Sequence, residues 1–210
     1  MPIVALLGDS IFDNKVYVGD QPDMAAHFKN LAPTDWAVKL LAVDGSVVQM
    51  VEAQAQKITD AVTHIVLSAG GNDALSNADI LAMPAPNSTD VFSELSKRAD
   101  AFRSAYTTML EVLLSKGRPV AVCTVYYPNF PEAALQRIPT AALSSFNDVI
   151  IREATVKGIP IIDLRLVCSE KSDYANEIEP SGPGGEKIAK AIIKLIKEHD
   201  FSRQRTEIYY

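Results

Sequence analysis

Five short runs of the chain are almost continuously apolar: residues 3–7, 38–43, 64–69, 120–125 and 159–163. Runs of this length without polar alternation fit β-strands covered on both faces. Between them, apolar positions recur at helical period over residues 47–58, 90–116, 140–157 and 184–199. In the last segment Ile188, Ala191, Ile192, Leu195 and Ile196 share one face, and Lys187, Lys190, Lys194 and Lys197 lie opposite. Gly117 and Gly158 fall where helix C-caps precede the fourth and fifth strands. Alternating strand and helix predicts βαβ units and a doubly wound, five-stranded parallel sheet in a three-layer α/β/α fold of flavodoxin-like type. Ligands of such sheets bind outside the carboxyl ends of the strands, where strand order reverses.

Two segments carry no period. Residues 76–89 include Met83-Pro84-Ala85-Pro86-Asn87, too rich in proline for a helix, and residues 126–139 open with Tyr126-Tyr127-Pro128-Asn129-Phe130-Pro131. Both follow strand ends, so Met83, Tyr126, Tyr127 and Phe130 are candidate rim residues of an acyl or aryl pocket.

Composition narrows the class. A chain of 210 residues with 48% hydrophobic and 22% charged positions suits one soluble domain over residues 1–200, followed by a tail at 201–210. That tail, with two arginines and two terminal tyrosines, reads either as a subunit-contact arm or as a frayed end. The net charge of −6 argues against nucleic acid and anionic membrane surfaces, which demand clustered Lys and Arg. No apolar stretch approaches the ~18 residues of a membrane span, and Met1-Pro2 leads directly into the first strand. A cytoplasmic protein is expected. The two cysteines, Cys123 and Cys168, suggest neither a disulfide framework nor a zinc site.

The chemistry sits where apolar runs stop. Gly8-Asp9-Ser10 closes the first run and sets a hydroxyl at the sheet's carboxyl edge. Gly45, in Val43-Asp44-Gly45-Ser46, follows the second, and Gly70-Gly71-Asn72-Asp73 closes the third. Glycine turns let backbone N–H groups approach a ligand closely, and Asn adds an uncharged donor. Near the C-terminus the chain reads Asn176-Glu177-Ile178-Glu179-Pro180-Ser181.

This set of blocks resembles the SGNH, or GDSL-type, hydrolase family over nearly the whole chain. The resemblance implies Ser10 as nucleophile of an ester hydrolase. It also implies an oxyanion hole made of the Ser10 N–H, the Gly45 N–H and the Asn72 amide. Preorganised donors of this kind are worth ~3 kcal/mol each. The expected substrate is a small or medium acyl ester turned over through an acyl-Ser10 intermediate, with no cofactor. A metal held by Asp9, Asp13, Asp73 and Glu179 has no spacing signature, and Asp9 and Asp73 read as structural carboxylates.

One block departs from the family. Its final Asp-x-x-His falls here on Asn176 and Glu179. Of the three histidines, His64 begins a strand and His199 ends a helix, which puts both roughly 20 Å from the site; His27 is unplaced. Glu179 is the candidate base by position, with Asn176 orienting its carboxylate and Glu177 a neighbouring acidic alternative. A carboxylate with an ordinary pKa of ~4.3 is a poor base at neutral pH unless burial raises it. Two other readings stand beside this one: an esterase whose base is His27 or a water held by Glu179, and an inactive protein that binds an ester, acyl or carbohydrate ligand.

Overall fold

The computed structural model describes residues 1–210, apart from the side chain of Ala134. In chain order the elements are β1 (Ile3–Gly8), α1 (Met24–Leu31), β2 (Ala37–Leu40), α2 (Val51–Ala55), β3 (His64–Ser68), α3 (Gly71–Ser76), α4 (Ser88–Leu114), β4 (Val120–Cys123), α5 (Ala133–Lys157), β5 (Ile161–Ile162), α6 (Leu164–Val167), α7 (Gly182–Glu198) and β6 (Ile208–Tyr209). The strands are all parallel and lie in the order β2-β1-β3-β4-β5-β6. The order reverses between β1 and β3, so the switch point lies between the ends that carry Ser10 and Gly70.

Alternation along β1 divides the core into two layers. Val4 and Leu6 pack with residues of α1, α6 and α7 on one face. Ala5 and Leu7 pack with residues of α2, α4 and α5 on the other. All four are fully buried, which is why the run lacks polar alternation. Both cysteines are free and buried.

Four differences from the sequence pattern have local causes. The tail is neither frayed nor a free arm: Ile208 and Tyr209 pair with Ile161 and Ile162 as a sixth, edge strand, so the sheet has six strands and not five. Helix α1 has no counterpart in the sequence pattern; Asp23 caps it by accepting from the Ala26 N–H at 2.8 Å, and Met24 and Phe28 are its buried residues. Residues 47–58 form only a 3-10 turn (Val48–Met50) and the short α2. Conversely, α5 begins seven residues before Thr140 and runs through Pro139. Gln136 anchors that extra length, accepting from the Phe130 N–H and donating to the Pro128 carbonyl.

Candidate active site

Ser10 lies two residues beyond the end of β1 in a turn that Asp9 organises. The Asp9 carbonyl accepts from the N–H groups of Phe12 and Asp13, both at 3.1 Å, and its Oδ1 accepts from the Ile11 N–H at 3.2 Å. At Gly8, φ is +125°, and a Cβ would lie 1.7 Å from the Ser68 carbonyl oxygen. Only glycine lets β1 and β3 close to this distance beneath the site.

The three strand-end blocks are laced together. The Asn72 amide donates to the Ser46 carbonyl at 3.1 Å and fastens the Gly45 turn to the start of α3. Gly45 itself has φ +76°. Asp73 accepts from the Val48 N–H at 3.1 Å, so it holds a turn, as expected of a structural carboxylate. Gln54, unforeseen in the sequence, is buried on α2. Its amide accepts from the Gly8 N–H and donates to the Gly8 carbonyl, both at 2.8 Å, and also donates to Ser46 Oγ at 3.1 Å. Among the described residues, and outside the helices and strands, neither the Ser10 nor the Gly45 N–H is engaged in a backbone hydrogen bond.

The fourth block is pinned to the first. Asn14, fully buried and likewise unforeseen, donates to the Pro180 carbonyl at 3.3 Å and accepts from the Met24 N–H at 2.9 Å. Tyr126 donates from its hydroxyl to the Ile178 carbonyl at 2.7 Å. Asn176 does not play the part expected of it. Its Oδ1 accepts from the N–H groups of Ile178 and Glu179, both at 2.9 Å. It therefore shapes the loop that presents Glu179 and does not hold the carboxylate. Glu177 points outward to solvent, whereas Glu179 is buried and turned inward.

Asp9, Ser10, Asn72 and Glu179 line one cavity of about 410 Å³. Tyr126 and Phe130 belong to its wall; Met83 and Tyr127 do not. No histidine lines it among the described residues. His27 sits on α1 within electrostatic reach of Glu186 on α7, His64 begins β3, and His199 pairs with Glu207. Among the described residues no group of three or more His, Cys, Asp or Glu is placed to hold a metal, and no helix is long and apolar enough to cross a membrane.

Burial sets the electrostatics. Desolvation raises the Glu179 carboxyl to about 7, with a smaller upward push from Asp44; a hydrogen bond from Ser10 opposes the shift. Glu179 Oε2 nevertheless has no partner at hydrogen-bond distance among the described residues. The Ser10 hydroxyl therefore serves at most one of the two carboxylate oxygens. Asp9 is raised to about 8, first by desolvation and then by the charges of Glu179 and Asp73, against the Ile11 N–H. Both carboxyls are thus held well above the ordinary carboxylate range, and each charge opposes ionisation of the other.

A raised pKa makes the folded state the better proton binder, so Asp9 costs stability as pH climbs from its unfolded value of ~3.9 towards 8. Asp9→Asn is therefore expected to match wild type in thermal melts at pH 4 and to exceed it increasingly up to pH 9, by on the order of a few kcal/mol at the top. A difference that does not change with pH would contradict this. If the Asn72 amide is an oxyanion donor, Asn72→Ala is expected to lower kcat about 100-fold with little change in KM; steady-state kinetics on an aryl ester measures this, and a loss mainly in KM would make Asn72 a substrate-binding residue.

Fold and site together define an esterase or lipase-like hydrolase. The chain belongs to the GDSL-like lipase/acylhydrolase family, whose model matches residues 6–184. A search of curated proteins finds no match. Among solved structures, the chain is similar to an extracellular lipase from Streptomyces rimosus (14% identity, TM-score 0.69, covering 95% of this chain and 100% of that one). It is similar to the lipase/acylhydrolase from Enterococcus faecalis (19%, 0.67, 94% and 96%). A third is an acetylxylan esterase from Geobacillus stearothermophilus (15%, 0.65, 97% and 97%). At these identities the likenesses establish the fold.

Proposed function

We propose that the protein hydrolyses a small or medium acyl ester through an acyl-Ser10 intermediate, with Glu179 as the base that replaces histidine. The observation that carries this is a buried carboxyl beside the Ser10 hydroxyl whose pKa is raised to about 7, in a cavity with no histidine in its wall. Burial supplies the basicity that an exposed glutamate lacks.

In the first half-reaction Glu179 takes the Ser10 proton as Oγ attacks the ester carbonyl. The developing oxyanion is met by the Ser10 and Gly45 N–H groups and the Asn72 amide. Collapse breaks the bond to the alcohol, whose oxygen takes the proton back from Glu179. In the second half, Glu179 deprotonates a water that attacks the acyl-enzyme; the same proton then returns to Ser10 as the carboxylic acid leaves. Burial favours the neutral form of Asp9, which spares the developing oxyanion the repulsion of a second carboxylate.

The pH profile tests the base. The base must be deprotonated, so log kcat/KM should fall with unit slope below about 7 and level above it. The coupling of Glu179 to Asp9 makes the apparent value that of the pair. An activity that stays flat down to pH 5 would refute Glu179 as base. Absence of turnover of any ester, with ligands still bound beside Ser10, would favour the binding-protein reading.

A further inference from the structure

The cavity at Ser10 is lined mostly by apolar side chains. Beside Asp9, Ser10, Asn72 and Glu179 its wall is formed by Leu95 of α4, by Ile138, Leu143 and Phe146 of α5, and by Leu81 of the 3-10 turn Ala78–Ala82. Two further polar residues of the wall, Arg98 and Asn77, have their donors engaged within the protein. Arg98 donates to both carboxylate oxygens of Asp79, to the Asn77 carbonyl and to Glu94. Asn77 donates from its amide to the Asp73 carbonyl at 2.8 Å. A sugar ring placed against the apolar side chains would bury most of its hydroxyls without partners, each at a cost of ~1–3 kcal/mol. Methylenes meet no such cost.

Size points the same way. An apolar cavity of ~150 Å³ accommodates the six carbons of benzene; this one, at about 410 Å³, has room for a chain on the order of a dozen carbons. Of this lining Leu75, Leu81, Leu135 and Ile138 are each about half exposed, so the cavity opens to solvent across apolar surface.

We infer that the cavity takes the acyl chain of a medium- to long-chain ester of eight or more carbons, so that the substrate belongs to the lipid class and is not an acetylated carbohydrate. The inference rests on the acyl-Ser10 reading for its chemistry. The ester carbonyl lies against Ser10, the chain runs along the apolar wall, and the alcohol leaves towards solvent. Leu81, Ile138 and Leu143 then act as specificity-determining residues.

The test is a chain-length series of p-nitrophenyl esters from acetate to dodecanoate. Each buried methylene is worth up to about fourfold in kcat/KM, so octanoate should exceed acetate by at least about 30-fold, allowing for partial burial. Ala142→Trp on the α5 wall and Ala78→Trp on the opposite wall should each cut the octanoate-to-acetate ratio at least tenfold. Two variants on separate elements guard against one failing to fold. A wild-type preference for acetate would overturn the inference, as would equal loss of both esters in a variant with an unchanged melting profile. Titration of octan-1-ol into Ser10→Ala separates this question from catalysis. Binding that is lost when Ala142→Trp is added supports the chain site even if no ester is turned over, and no binding of octanol refutes it even if Ser10 proves to be the nucleophile.

Discussion

Ser10→Ala is expected to remove ester turnover by roughly 10⁴-fold or more, and with it all covalent labelling by a fluorophosphonate. The magnitude follows from position. Ser10 lines the cavity with Glu179, and the two side chains lie close enough for the Ser10 hydroxyl to act on the Glu179 carboxyl. Ser68 also lines the cavity, but it is the last residue of β3, and its carbonyl is already packed against Gly8. Mass mapping of the adduct is the direct measurement. An adduct on Ser68, or labelling that survives Ser10→Ala, would remove Ser10 from the mechanism.

Glu179→Gln should cost about 10³-fold in kcat, within the range for general-base catalysis, while leaving ligand affinity nearly unchanged. The amide keeps the shape of the carboxyl and cannot accept a proton. A partial rescue sharpens the test. Asp at 176 can accept the Ile178 and Glu179 N–H groups as Asn does now, so Asn176→Asp with Glu179→His would rebuild the family's usual pair on an intact loop. The double variant should recover activity relative to Glu179→Gln, with its acid limb near the imidazole value of ~6.5. A neutral Glu179→Gln would dismiss the glutamate. His27→Ala, on α1 outside the cavity, should have a mild effect in either case.

The sheet is legible in the sequence because burial on both faces suppresses alternation: Val4 to Leu7 is one apolar run although its residues enter two different layers. The strand-end blocks can be read for the same reason, since glycine followed by a polar group interrupts such a run abruptly. What stays hidden acts through main-chain atoms far along the sequence. Gln54 serves Gly8, 46 residues away, and Asn14 serves Pro180, 166 away. Neither sits in a motif, and the only available signal, a polar residue at a position destined for burial, appears only once the layers are assembled. For Asn176 the sequence points to the right neighbourhood and the wrong partner, because Asn binds its own loop's N–H groups as readily as a carboxylate. The strand β6 escapes because two residues cannot establish a period.

The tight seat of Gly8 has a consequence for anyone who maps this protein by saturating each position with substitutions. Position 8 should tolerate no replacement, so a survival screen would rank it beside Ser10, although no atom of Gly8 takes part in bond making. Its contribution is spatial: it is a spacer of minimal thickness that sets how far the strand leading to Ser10 stands from its neighbour. Screens scored by activity alone would therefore mistake a gauge for a reagent. Pairing such a screen with an abundance readout would separate them, since variants at Ser10 should accumulate as folded protein and those at Gly8 should not.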